Sequence, residues 1–340
     1  MAARRQQTGV RMPMAALVAA AVVAGSLSSA AQGRGWRAYV TNFDGDGISV
    51  VDLDRRAVIA TVETGRKPHG VAVAPDGSNV FVSNEEDGTL AIIDPVQHRV
   101  RATVPVGGRP HQLEVTPDGR HVLVPLNDKA AVAVFDVVAR RVVRTIPLGR
   151  APHIVRRLPG TDRYLVTSEG DAKLVLLGAG WDVLSEIPIF AQPRVPAITP
   201  AGDRIYQTIR WLNGALVVDP AKGVVVDRIA LGERQFANEG KDAHGVAVTP
   251  DGSEVWIATQ TTDSVSIVRA TNHEVRGQLP VGKDPNWIEM TPDGTTAVVS
   301  NTGGNSVTII DVRGRRVLGT VRVGLGPKRL VVAAAPPDSR

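Results

Sequence analysis

The chain has no cysteine, which excludes disulfides, thiolate metal sites and covalent attachment of c-type haem. Aromatic side chains make up only 4% of it, so a core has to be built from Val, Ile, Leu and Ala. No acidic residue occurs before Asp44, and a long apolar run occurs once, Met14 to Gly25 (MAALVAAAVVAG). That run is too short to span a bilayer comfortably. There is no G-x-S-x-G elbow, Walker loop, H-E-x-x-H or EF-hand loop, so the commonest signatures of hydrolase, nucleotide and calcium chemistry are missing. Nor is there a basic stripe interleaved with aromatics. Three of the arginines behind the formal charge of +5 (Arg4, Arg5, Arg11) precede the apolar run, and without them the balance is +2. A nearly neutral chain of this kind gives no support to nucleic-acid binding.

The positive start, the apolar run and the small residues of SLSSAAQ have the layout of a secretory signal peptide, residues 1–31, cut near Ala30 or Ala31. An uncleaved N-terminal anchor is the alternative. Arg4–Arg5 hints at the twin-arginine route, although QQTG matches it poorly. The expectation is a periplasmic or secreted protein, with no membrane span after cleavage.

Beyond residue 36 the chain repeats itself. Units begin at Tyr39, Phe81, Leu123, Leu165, Tyr206, Trp256 and Val298, spaced by 42, 42, 42, 41, 50 and 42 residues. Nine residues into each unit stands an apolar residue: Ile48, Leu90, Val132, Leu174, Ala215, Val265 or Val307. Five units close the next run on Asp52, Asp94, Asp136, Asp219 or Asp311. Runs such as NVFVSN and TLAIID are short, rich in β-branched residues and separated by Gly, Asp, Asn and Pro, the pattern of strands. Four strands in about 42 residues make one propeller blade. Residues 36–336 thus form an all-β, seven-bladed propeller of four-stranded antiparallel blades, followed by a tail at 337–340. The first unit opens at a second strand and the chain ends on an innermost one, so the C-terminal strand closes the ring against the N-terminal strands.

The phrase YVTN-x₈-ISVVD-x₆-IATV-x-x-G-x-x-P-H-G-VAV-x-PDG, read from Tyr39 to Gly77, resembles the YVTN-type β-propeller repeat of secreted and periplasmic bacterial proteins. The QPR of Gln192 to Arg194 and the insertion in the 50-residue unit are similar to YVTN propellers associated with quinone-cofactor-dependent alcohol oxidation. The tryptophan docking repeat of quinone-binding dehydrogenases is absent, so neither quinone cofactor nor haem c is expected on this chain.

Consecutive strands are antiparallel, so the turns alternate between two faces. The PDG turns are architectural, Pro presetting φ, Asp capping and Gly taking positive φ, and the Asp52 set likewise reads as turn caps. The other face carries the turns that enter the innermost strands. The residues there are His69, His111, His153, Arg194, His244, Asn286 and Lys328, all nitrogen-bearing, and four of them account for more than half of the chain's seven histidines. Where inner strands converge, such side chains can address a common ligand. His69, His111 and His153, with His244 across the ring, are also candidate ligands of a divalent metal. Inner strands spaced about 10 Å apart put three imidazoles far apart for bonds of about 2.0–2.1 Å. Acids of the neighbouring loops (Asp44, Asp46, Glu85, Glu86, Asp87, Asp128, Glu169, Asp171) either orient the histidines or are merely solvated. The insertion GERQFANEGKDA, with Phe236 as a lid, and Trp211 as a wall fall on the same face. Trp256 reads as packing between blades, and His98, His121 and His273 as surface residues.

Three function classes follow. The first is a binding or accessory protein holding a small anionic molecule or a periplasmic protein partner at the channel mouth. The second is a metal-dependent hydrolase or lyase using a histidine-held ion there, and the third is a structural protein whose ring has no ligand. A monomer is expected.

Overall fold

The computed structural model describes residues 35–232 and 243–336. The leader, the C-terminal tail and Phe236 with its insertion lie outside the described residues. Twenty-eight strands, β1 to β28 in chain order, form seven four-stranded antiparallel sheets. The first sheet joins the chain ends: β28 (Pro327–Ala334) pairs β1 (Trp36–Asn42) antiparallel, with Tyr39 opposite Val331 and Val40 opposite Leu330. The ring is therefore closed by the C-terminal strand, and the fold is a seven-bladed β-propeller as expected.

The second strand of each unit is the most buried. All five residues of β5 (Val80–Asn84) are buried, as are the seven apolar residues at the ninth position, from Ile48 to Val307. Burial on both sides explains their near-continuous apolar sequence. At about 1.5–3 kcal/mol per buried aliphatic side chain, these strands dominate the stabilisation. The outermost strands instead alternate: β7 (Arg99–Pro105) exposes every second residue, three of them Arg or Thr, which blunts an otherwise open edge. The largest buried side chains include Trp256, Trp287, Tyr39, Tyr206, Phe81 and Phe135, filling the wedges between blades.

Both turn families behave as read. In the PDG turns Gly77, Gly119, Gly252 and Gly294 have φ of 72, 69, 73 and 69°, and the Asp76 carboxylate accepts the Ser78 N–H at 2.9 Å. Asp52 accepts the Arg55 N–H at 2.8 Å, Asp136 the Ala139 N–H at 2.7 Å, and Asp311 the Gly314 N–H at 2.9 Å.

Candidate functional site

Except at His111, each residue at the channel mouth enters an innermost strand at a bulge. Register slips between Pro68 and Val71, Pro152 and Val155, Pro193 and Pro196, Ala243 and Val246, and Pro285 and Trp287. A bulge turns one extra residue aside from the ladder and re-aims its side chain. The hydroxyl of the YVTN-like segment fixes that bulge. Ser83 Oγ accepts the Gly70 N–H at 2.8 Å and donates to the His111 carbonyl of the next blade at 2.8 Å. Thr208 does the same for the Val195 N–H and the His244 carbonyl (3.0 and 2.6 Å), and Ser300 for Trp287 and Lys328 (3.1 and 2.9 Å). Thr41 accepts the Arg329 N–H at 2.9 Å and donates to the His69 carbonyl at 3.2 Å. The hydroxyl position of the repeat is thus a staple between blades.

The third blade carries Pro125 where the hydroxyl would be, and its inner strand is correspondingly irregular. Only Glu114–Val115 (β8) is regular strand, with isolated bridges before it. The Gln112 N–H donates directly to the His153 carbonyl, and the Val155 N–H to the Gln112 carbonyl, both at 3.1 Å. The Gln112 side chain reaches back to the Val71 carbonyl at 3.0 Å. Gly70 permits this approach, since a Cβ there would meet the His111 carbonyl at 2.5 Å.

The outcome is that His69, His111 and His153 converge further than mid-blade spacing suggests. Their ring centroids are 4.2, 5.0 and 5.5 Å apart, and one nitrogen of each lies within 4.8 Å of the others. All three are buried. His244 is buried as well but lies outside this triangle. Burial lowers every one of the four: His69 and His244 go well below the ordinary imidazole value, His111 goes below it, and His153 falls to about 4. At neutral pH they are uncharged.

Two of the rim acids turn inward. Glu85 Oε2 stands 3.1 Å from His69 Nδ1 and 3.6 Å from His111 Nε2, while its other oxygen meets the Arg109 guanidinium. Glu169 lies 2.9 Å from His153 Nδ1 and 3.8 Å from Arg194. Burial acts to raise both acids, but the neighbouring imidazoles and cations outweigh it and hold each at about 2. The remaining acids pair outward: Asp87 and Glu86 with Arg66, Asp44 with Lys67, Asp171 with Arg150. Asp128 caps the Arg109 N–H at 2.7 Å. Trp211 is 46% exposed, with the Arg210 guanidinium 5.3 Å from its ring centre. Trp256 is fully buried between blades, as its position suggests.

Arg329 was not anticipated. It lies one step further in than the ring, where the other blades carry Gly70, Gln112, Ile154, Val195, Gly245 and Trp287, all buried. Being the one charged residue at that position was the available signal. Its guanidinium donates to Asn286 Oδ1 at 2.6 Å, lies 3.2 Å from His153 Nε2, and sits 4.6 Å from the Trp287 ring centre. Lys328 stands 3.6 Å from the Phe43 ring centre, another contact the sequence pattern did not disclose. Burial, then repulsion from Arg329, lowers Lys328 to about 8, and burial, then repulsion from Arg194, lowers Arg329 to about 9. Among the described residues neither has a carboxylate within ion-pair distance. Both ring nitrogens of His69 and of His111, and Nδ1 of His244, are buried without an aligned hydrogen bond.

The donor set fits a divalent metal in part. Neutral imidazoles backed by carboxylates are the usual arrangement of metal-bound histidine, but His153 Nε2 already accepts from Arg329. The set also fits an anion, because the buried Arg329 and the half-buried Lys328 lack carboxylate partners among the described residues.

This is a seven-bladed propeller of YVTN-type repeats. A family model for YNCE-like β-propellers matches residues 8–127. No curated protein matches its sequence. Among solved structures it is similar to the hydrazine synthase of Kuenenia stuttgartiensis (TM-score 0.74, 20% identity, covering 80% of this chain and 91% of that one). It is similar also to the periplasmic gluconolactonase of Pseudomonas aeruginosa (TM-score 0.72, 20% identity, 88% and 99%). A dihydro-haem d1 dehydrogenase aligns with TM-score 0.61 and 18% identity, over 87% of this chain and 74% of its own. At such identities the likeness is one of fold. No helix among the described residues is long and apolar enough to cross a membrane.

Proposed function

We propose that this protein is an exported, periplasmic binding protein that holds a small anionic ligand at the channel mouth. The observation that carries the reading is a pair of cations: Arg329 is 1% exposed, the half-buried Lys328 stands beside it, and neither has a carboxylate partner among the described residues. An unpaired charge in a buried site is costly, and an incoming anion removes that cost. The neutral imidazoles of His69 and His111 add polar groups on the same side, and Arg194 adds charge at the rim. Export rests on the leader-like N-terminus and agrees with the periplasmic gluconolactonase among proteins of this fold.

Calorimetric titration with gluconate, as a hydroxyacid probe, and with inorganic phosphate tests the reading. Saturable binding is expected, weakened about 10–100-fold by Arg329→Met, which trades the charge for a side chain of similar length. If neither probe nor other small carboxylates and oxyanions bind the folded protein, the reading fails.

A second reading is favoured by the histidine triangle alone: a hydrolase or lyase in which a divalent metal on His69, His111 and His153 polarises a substrate carbonyl. Glu85 and Glu169 would orient the imidazoles through Nδ1 of His69 and of His153. Elemental analysis after incubation with zinc separates the two. One equivalent retained, and lost in His111→Ala, favours the metal.

A further inference from the structure

Three residues further into the inner strands than the ring, this chain places Glu114, Arg156 and Glu289 where the other blades have Ala72, Ala197, Ala247 and Val331. A repeat that is satisfied by alanine or valine has no architectural need for three charges. The Arg156 guanidinium lies between the two carboxylates, with Nη1 3.9 Å from Glu114 and Nη2 3.6 Å from Glu289, and its carbon is 5.0 Å from the Trp287 ring centre. Neither distance is a hydrogen bond, and no donor of this guanidinium makes one among the described residues. Glu289 is itself held by the Trp287 Nε1–H at 2.9 Å. These groups line a cavity of about 270 Å³ whose rim includes Pro159, Pro250 and Pro292 of the PDG-side turns, and whose apolar wall includes Ile198, Val246, Ile288 and Met290. It therefore opens on the face opposite the mouth.

A guanidinium over an indole, with its donors unused, matches the planar, two-oxygen geometry of a carboxylate. The apolar wall suits a short hydrocarbon body. We propose that this cavity is a second binding site, for a small monocarboxylic acid whose carboxylate is held by Arg156 and whose body rests on Ile198, Val246, Ile288 and Met290. A third carboxylate beside Glu114 and Glu289 calls for one proton among them. Glu114 accommodates it: burial, only partly offset by Arg156 and reinforced by Glu289, pushes this carboxyl up to about 7. The other groups facing Glu114 are Arg157 and the Tyr164 hydroxyl. Binding near neutral pH thus takes up a proton and tightens as the pH falls.

The test is calorimetric titration of the purified full chain with n-butyrate and with benzoate, at pH 6 and pH 8, in two buffers of different ionisation heat. Expected are one-site binding, about tenfold tighter at pH 6 than at pH 8, and proton uptake visible as a buffer-dependent heat. Arg156→Gln weakens it more than about tenfold. Met290→Trp, which fills the cavity and keeps every charge, abolishes it, and Asp44→Asn at the exposed rim of the opposite face leaves it unchanged. Glu114→Gln retains binding and flattens the pH dependence. Absence of saturable binding at pH 6, binding that survives Met290→Trp, or loss with Asp44→Asn while Arg156→Gln still binds, overturns the proposal. Equal affinity at the two pH values overturns the assignment of the proton to Glu114.

Discussion

At the mouth of the channel, four neutral histidines gather with Arg329 and Lys328, and Glu85 and Glu169 stand against the imidazoles. At the far end, Arg156 lies between Glu114 and Glu289. Both sets are carried by the same innermost strands, three positions apart, and both touch Trp287, which lies under Arg329 and Arg156 alike. Burial is the leading influence on each, yet its consequences run in opposite directions. It strips protons from the imidazoles and lowers the cations without discharging them at neutral pH, and it raises the Glu114 carboxyl. One scaffold can therefore hold a site that acid damages and a site that acid completes.

Breaking the mouth with acid is expected to give the largest effect. Unfolded histidine takes up a proton near pH 6.5, whereas His153 resists until about 4, and His69, His111 and His244 are also lowered. The unfolded state then binds more protons, so stability falls as the pH drops below about 6.5. At about 1.4 kcal/mol per pH unit, His153 alone accounts for about 3 kcal/mol by pH 4. Glu85 and Glu169, held at about 2, add a further loss below about pH 4.5. Urea unfolding at pH 7, 5.5 and 4 measures this, and His153→Gln is expected to flatten the curve. A midpoint unchanged down to pH 4.5 contradicts it.

The far end is expected to show the reverse. A raised carboxyl contributes stability that is full below its unfolded value of about 4.5 and is lost as the pH rises through about 7. Glu114→Gln should therefore stabilise the protein at pH 8, by up to about 3 kcal/mol, and change little at pH 4.5. Thermal melts of the variant and the parent at the two pH values decide it. An equal shift at both would show that Glu114 does not titrate as described.

The difference between the ends also explains what could be read from sequence. Blade number and the closing strand were legible because the unit repeats seven-fold, and the PDG turns because they recur in four units; repetition amplifies a weak local signal into a strong one. The ring from His69 to Lys328 was legible as a set of equivalent positions. Its convergence was not, because it depends on bulges at the entries other than that of His111 and on hydroxyls such as Ser83 that bridge two blades, neither of which has a one-residue signature. Arg329, Arg156 and Glu114 were hidden for the opposite reason. They depart from the repeat, and a reading tuned to what recurs passes over what does not. A charged residue at a strand position otherwise filled by small or apolar side chains was the overlooked clue at both ends.

Next in size come the joints that hold the mouth together. Thr208 is buried and links the Val195 N–H to the His244 carbonyl. Thr208→Val keeps the shape and removes both bonds, for an expected loss of about 1–3 kcal/mol. Gly245→Ala puts a Cβ 2.8 Å from the Trp287 Cα and 2.9 Å from the Ile288 nitrogen, so the strands must part, at a cost of about 1–3 kcal/mol. Because Trp287 serves both ends, Gly245→Ala is expected to perturb ligand binding at the mouth and in the far cavity together, whereas Thr208→Val perturbs the mouth alone. Titrations at both sites distinguish the two variants, and identical behaviour would refute the separation.

The smallest effect is expected at the outer rim. Asp44 and Lys67 form a 2.7 Å ion pair, but their side chains are 54% and 37% exposed, so water and salt screen the attraction. A double-mutant cycle over Asp44→Asn and Lys67→Met should give a coupling of no more than about 0.5 kcal/mol, falling towards zero in 1 M salt. Glu85 is the internal control. It lies on the same face but is 7% exposed and bonded inward, so Glu85→Gln should cost clearly more than Asp44→Asn and should alter anion binding, which the rim variant leaves intact. A rim coupling as large as the effect of Glu85→Gln would mean that the whole acidic collar works as one network, and the mouth would then have to be redrawn to include it.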